Sequence, residues 1–323
     1  MKLFSYNVDN KDRLGIAIGT LRYDLHQANP QLPDNMADFL RGGTDAMELA
    51  KRVAVRLTTG PTDVEPLQAV RLVAPVPQPT SCRDAYAFRQ HVETSRRNRG
   101  LAMLSEFDRF PVFYFTNHQA VCGPGDIFCM PLHFDQLDFE LEVAVVLNKG
   151  GKNIKASDAD GYIAGYMIMN DLSARRLQME EMKLNLGPAK GKDFATAMGP
   201  YLVTPDELED FRTAPAAGHI GNVYNLEMTC EINGIRVSKG SLADMHWTFA
   251  EIIERVSYGA EVYPGDVIGS GTVGTGCFLE LNGTKKLQDP SYLPQWLQPG
   301  DVVEMEVTGL GRLLNTVKLE FAS

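Results

Sequence analysis

The residues in this chain best suited to chemistry lie in Leu137-Asp138-Phe139-Glu140-Leu141-Glu142-Val143-Ala144-Val145-Val146-Leu147. Side chains alternate across an extended strand, so Asp138, Glu140 and Glu142 would share one face, with Phe139, Leu141 and Val143 on the other. Acids stacked on one strand face repel, and a hard divalent cation among them would relieve that repulsion. The alternative is an edge strand whose acids face water. Histidine is the residue type most suited to moving protons at neutral pH, but a lone histidine on a helix, as His91 would be, is more often a surface or satisfied core residue.

These acids must be positioned by a fold rich in strands. Residues 1–73 read as a small α+β unit, with strand-like runs at Lys2–Val8 and Leu14–Leu21 and helical patterns at Asn35–Leu40 and Thr44–Leu57. The alternating prolines of Val73-Ala74-Pro75-Val76-Pro77-Gln78-Pro79-Thr80-Ser81 forbid helix, so a boundary is placed there and a second domain spans 80–323. It carries a helical pattern from Ala85 to about Arg99, then strand patterns at Phe110–Phe115, Leu137–Leu147, Ile163–Met169, Tyr201–Val203, Asn225–Ile232, Val267–Ile268, Phe278–Leu281, Val302–Val307 and Leu313–Phe321. Asn233-Gly234 predicts a two-residue hairpin turn. Helices are expected at Ser173–Leu184 and His246–Val256. So many strands with so few crossover helices predict a mainly β core with α/β elements, a closed or rolled sheet rather than a doubly wound one.

The 323 residues can bury one large core and a smaller one. A net charge of −10 argues against nucleic acid and anionic membranes, which select basic surfaces. The five cysteines lack C-x-x-C spacing and are odd in number, so neither a disulfide framework nor a zinc motif is expected. With no apolar run of signal-peptide or membrane-span length, the expected location is cytoplasmic.

Four segments resemble the fumarylacetoacetate hydrolase family, in the family's order and at similar spacing. They are Asp84-Ala85-Tyr86-Ala87-Phe88-Arg89-Gln90-His91; Asp138 to Glu142; Met169-Asn170-Asp171-Leu172-Ser173-Ala174-Arg175-Arg176-Leu177-Gln178 with Gly191-Lys192-Asp193-Phe194; and Pro264 to Thr272 with Phe278-Leu279-Glu280-Leu281-Asn282-Gly283. The resemblance covers most of the chain after about residue 80. It implies a rolled mixed β-sheet core, a homodimer, and a Mg²⁺ (or Mn²⁺, Ca²⁺) ion held by Asp84, Glu140, Glu142 and Asp171. Asp138 falls outside that ligand set, as a strand-end acid.

The same resemblance implies that His91 is a base paired with Glu280, because the position three residues after His91, which holds the pairing acid in another branch of the family, is Thr94 here. Lys192 is implied to stabilise an oxyanion, and Tyr86, Tyr114, Gln178 and Thr272 to contact substrate. Taken by themselves, Lys192 could be a solvated loop lysine, Tyr114 a core aromatic, and the glycines around Thr272 turn residues. The basic group Arg89, Arg96, Arg97 and Arg99, on or just after the His91 helix, is either a solvated face or a lid for a distal carboxylate. The expected activity is divalent-metal-dependent hydrolysis of a carbon–carbon bond in a 1,3-dioxo acid, a fumarylacetoacetate or acylpyruvate-like compound of aromatic catabolism. The alternatives are a 2-oxo acid decarboxylase or hydratase on the same metal site, and a metal-stabilised scaffold without turnover.

Overall fold

The computed structural model describes residues 1–60 and 64–321. Its centre is the Leu141–Leu147 strand, every residue of which is buried. Burial on both faces requires apolar residues at successive positions, which Val143-Ala144-Val145-Val146 supplies. Leu141, Val143, Val145 and Leu147 enter one core, and Ala144 and Val146 enter another.

This strand lies within an eleven-stranded mixed sheet. On one side it pairs antiparallel with Ile163–Asp171, then Thr196–Val203, then Lys2–Val8, Lys11–Ile18 and Leu21–Asp24. On the other it pairs antiparallel with Asp266–Gly269, which runs parallel to Ser81–Ala85, and Phe113–Thr116 forms the edge. A five-stranded sheet, from Ile235–Ser241 through Glu227–Ile232, Val302–Val307 and Gly311–Leu319 to Gly125–Cys129, covers the first core. The large sheet runs from edge to edge and does not close into a barrel. The architecture is therefore the mainly β, mixed-sheet fold expected, with a few helices.

The N-terminal strand Lys2–Val8 hydrogen-bonds directly to Thr196–Val203. The second core is built jointly: Leu3, Leu14, Ile16 and Phe39 pack with Ala144, Val146, Met167, Met169 and Val267. The Asn233-Gly234 turn forms with φ of 52° and 77°, the left-handed pair that a right-twisted hairpin requires.

Several elements differ from expectation, among them the strand expected over Leu137–Leu147, which breaks at Phe139–Glu140. The helix expected from Ala85 starts at Arg89, because Ser81–Ala85 is a strand. The helix expected over Ser173–Leu184 spans Arg175–Met182, with Ser173–Ala174 paired to Leu137–Asp138. The helix expected over His246–Val256 is Phe249–Ser257, started by a Thr248–Glu251 capping box. Phe278–Leu281, expected as strand, is the first turn of the helix Phe278–Gln288. That turn is capped from far away in sequence: the Asp138 carboxylate accepts from the Phe278 and Leu279 amides at 2.7 and 2.9 Å. A tertiary cap of this kind leaves no local signal.

Candidate functional site

The second core ends in charge. Along that face of the sheet, two residues beyond Cys82 comes Asp84, two before Ala144 comes Glu142, and two beyond Met169 comes Asp171. Period-two alternation thus brings three acids to one end of one apolar face. Glu140 joins them from the break between Leu137–Asp138 and Leu141–Leu147. One oxygen from each of Asp84, Glu140, Glu142 and Asp171 lies within 4.8 Å of the others, and all four residues are buried. Gly269 makes the space: a Cβ there would sit 2.4 Å from Asp84 Oδ1 and 3.1 Å from Glu142 Oε2. Gly271, at φ +77°, donates its N–H to Asp84 Oδ1 at 3.0 Å.

The cluster is only partly neutralised. Lys192 is buried and pairs with Glu140 and with Asp171, the latter at 2.7 Å. Burial lowers its pKa, but the charges of Asp171 and Glu140 outweigh that and raise it. Arg175, also buried, bridges Asp138 at 2.9 Å and Glu140 at 2.7 Å. Burial alone would raise Glu140, yet Arg175 and Lys192 together hold it down to about 2. The remaining acids go the other way. Burial and the charge of Asp171 push Asp84 up to about 8. Burial and the charges of Asp84, Glu140 and Asp171 push Glu142 well above the carboxylate range. Asp171 is raised by burial despite Lys192 and despite the Tyr114 hydroxyl donated to it. Thr272 donates to Glu142 Oε1 at 3.3 Å.

Two buried carboxylate oxygens of the cluster, Glu142 Oε2 and Asp171 Oδ1, have no hydrogen-bond partner. Buried acceptors are rarely left so, and an all-oxygen set of acids with orphaned lone pairs fits a hard divalent cation such as Mg²⁺, Mn²⁺ or Ca²⁺.

Next to the cluster, His91 Nδ1 is 2.6 Å from Glu280 Oε2. His91 comes from the first turn of Arg89–Arg97, and Glu280 from the first turn of Phe278–Gln288. Tyr86 stands edge-on to the imidazole, with ring centroids 5.7 Å apart. All of this opens into a cavity of about 540 Å³ whose lining also includes Val112, Phe113, Met179 and Trp296.

The structure gathers the expected cation, base and substrate-contact residues here, but not all of the acids and arginines singled out with them. Tyr86, His91, Tyr114, Glu140, Gln178, Lys192 and Thr272 line the cavity, and Gln178 Oε1 accepts from Arg175 Nη1 at 3.1 Å. Of the four arginines, Arg99 alone lines it; Arg89 pairs with Asp108 at 3.0 Å and Arg96 donates to the Ala102 carbonyl at 2.5 Å. Asp138 corrects the expected strand face. The chain leaves the strand at Phe139–Glu140, so Asp138 turns from the other acids and instead anchors Arg175 and the Glu280 helix. Arg175 itself was missed. Its spacing of three from Gln178 on one helix was the available signal, but the neighbouring Arg176, exposed, looks the same in sequence.

Fold and site together define a class, mixed-sheet proteins that set a candidate hard-cation cluster beside a histidine–carboxylate pair. The chain belongs to the fumarylacetoacetate hydrolase family: residues 80–318 match the family described as fumarylacetoacetate (FAA) hydrolase, C-terminal. It is 32% identical over 301 residues to oxaloacetate tautomerase Fahd2a, mitochondrial, of Rattus norvegicus, covering 91% of this chain and 83% of the relative. Fumarylacetoacetate hydrolase from Exiguobacterium antarcticum superposes with a TM-score of 0.69 at 25% identity, covering 99% of this chain and 100% of that one. Maleylpyruvate hydrolase from Sphingobium sp. SYK-6, in complex with manganese(II) ion and pyruvate, shares the fold with a TM-score of 0.71 at 20% identity, over 99% of this chain and 100% of that one. Among the described residues no helix is long and apolar enough to cross a membrane.

Proposed function

We propose that this chain is a divalent-metal enzyme that enolises a 2-oxo acid, and that its reaction is the keto–enol tautomerisation of oxaloacetate or a close 2-oxo diacid. The observation that carries this reading is the placement of His91, backed by Glu280, with a ring nitrogen within 4.8 Å of a Glu140 oxygen of the acid cluster. The choice of reaction is supported by the name of the rat relative. A divalent ion held by Asp84, Glu140, Glu142 and Asp171 would supply a Lewis acid for the 2-oxo group.

The chain's own residues do the rest. Glu280 accepts from Nδ1–H and so fixes the imidazole with Nε2 free to take a proton from C3 of the keto form and return it in the reverse direction. Lys192 offers a buried cation to the oxygen on which negative charge develops. Arg175 keeps Glu140 ionised and holds Gln178, while Tyr86, Tyr114 and Thr272 shape the wall around the substrate. Arg99, exposed and lining the cavity, suits a distal carboxylate.

Hydrolysis of a carbon–carbon bond in an acylpyruvate-like 1,3-dioxo acid, in aromatic catabolism, is the second reading. The cavity of about 540 Å³ favours it, being roomy and largely apolar for a four-carbon diacid. There His91 would deprotonate water instead of carbon. The two separate in one experiment: metal-loaded protein is given oxaloacetate, acetylpyruvate and fumarylpyruvate, with enol absorbance and product release both followed. Metal-dependent acceleration of oxaloacetate enol loss without cleavage supports tautomerisation. Cleavage of the acylpyruvates with no effect on oxaloacetate enol overturns it in favour of hydrolysis, and decarboxylation would register as carbon dioxide release.

Assembly as a homodimer belongs to the same proposal, supported by the family and by the frequency of two-fold assemblies. So does the compartment: the five free cysteines suit a reducing one, cytoplasmic by sequence, while the rat relative is mitochondrial by name. Light scattering and cell fractionation test these.

A further inference from the structure

Beside the all-oxygen cluster lies a softer group of ligands. Cys277 is the N-cap of Phe278–Gln288, its sulfur accepting the Glu280 N–H at 3.5 Å. One ligating atom each from His91, Glu140 and Cys277 lies within 4.8 Å of the others, and all three residues are buried. Because His91 Nδ1 is engaged by Glu280, Nε2 is the nitrogen left to ligate. A carboxylate behind the far ring nitrogen is the arrangement that orients an imidazole as a metal ligand and raises its basicity. Thiolate with imidazole suits zinc or cadmium, whereas four carboxylates suit magnesium or manganese.

We propose that His91, Glu140 and Cys277 form an inhibitory site for thiophilic divalent cations such as Zn²⁺ and Cd²⁺, distinct from the all-oxygen cluster but sharing Glu140 with it. Entry is through the cavity, which His91 and Glu140 line. On binding, the Cys277 S–H bond breaks, its proton leaves to solvent and a sulfur–metal bond forms, with no change in oxidation state. The Nε2 lone pair is then occupied, so proton transfer at carbon stops. The inhibition rests on His91 being the base; the binding does not.

Cadmium titration of the full chain, metal-free and Mn²⁺-loaded, tests this through the ultraviolet thiolate-to-cadmium absorption. Cys277→Ser keeps a helix-capping oxygen and removes the soft ligand. Cys230→Ser, in the second sheet, is the control. The wild type and the control should show the band, saturating near about one equivalent. Cys277→Ser should lose the band, and its half-inhibitory Cd²⁺ concentration should rise about tenfold or more, since a hydroxyl is a poor ligand for a soft ion. His91→Gln, which leaves the cap untouched, should weaken cadmium binding without abolishing the fold. A band that survives in Cys277→Ser, a wild type without one, or equal inhibition of both proteins would overturn the proposal. If no tautomerisation is found at all, the band still decides the site.

Discussion

Asp24 and Glu142 are both buried carboxylates that accept from a hydroxyl, and they have opposite electrostatics. Asp24 closes the Leu21–Asp24 strand and accepts from Tyr6 Oη at 2.6 Å, Arg13 Nε at 2.6 Å and the Gln27 amide at 2.7 Å. Burial would raise it, but Arg13, Tyr6 and the amide outweigh that and hold it below the usual range. Glu142 accepts from Thr272, faces the charges of Asp84, Glu140 and Asp171, and leaves one oxygen orphaned. One acid is balanced by the chain's own groups, and the other is not. Structural ion networks satisfy themselves, whereas a binding site keeps charge in reserve.

The sharpest way to break this contrast is to remove Glu142. Glu142→Ala should abolish turnover, yet the metal-free protein should melt higher than wild type, because a buried acid with an unpartnered oxygen, which its neighbours oppose ionising, is gone. A lower melting temperature in calorimetry would mean that Glu142 is structural, like Asp24. Removing the base comes next. His91→Ala should slow the reaction about 10²–10⁴-fold while the Mn²⁺-dependent rise in melting temperature persists, and Glu280→Gln should cost less.

Metal itself should stabilise the wild type by about 2.7 kcal/mol at a hundred times its Kd. Thermal melts with and without chelator measure this, and no difference would remove the cation from the site. Asp24→Asn should cost about 2 kcal/mol in urea unfolding and leave the metal response unchanged.

The smallest expected effect is the pH slope, which should have opposite signs in the two regions. Asp24 is lowered in the folded state, so its contribution is present above the unfolded value near 4 and is lost as pH falls through its lower folded value. Asp84 is raised to about 8, so the folded metal-free protein holds a proton the unfolded chain has released, and stability falls as pH rises from about 4 toward 8. Unfolding of chelator-treated protein across that range should show the decline, and Asp84→Asn should flatten it.

The period-two alternation that sends Ala144 and Val146 into one core and Val143 and Val145 into the other is plain in the sequence, and Glu142 follows from it. Asp84, Asp171, Lys192 and the His91–Glu280 pairing were reachable through ordered motifs. What sequence hid was tertiary. Nothing local says that Asp138 caps a helix 140 residues later, that Phe278–Leu281 is therefore helical, or that of two adjacent arginines Arg175 turns inward. Those facts depend on which surfaces meet after folding.

The apolar face that ends in the acids has consequences for inheritance. Its other half, Leu3, Leu14, Ile16 and Phe39 among others, comes from the first 73 residues, although the family match begins at residue 80. A recombination event that carried only residues 80–323 into a new protein would deliver the ligands without the floor beneath them. Met167, Met169 and Val146 would then meet water directly under Glu142 and Asp171. The two segments are thus expected to be inherited as a unit, and a transplanted site to succeed only where its new host supplies an equivalent apolar slab.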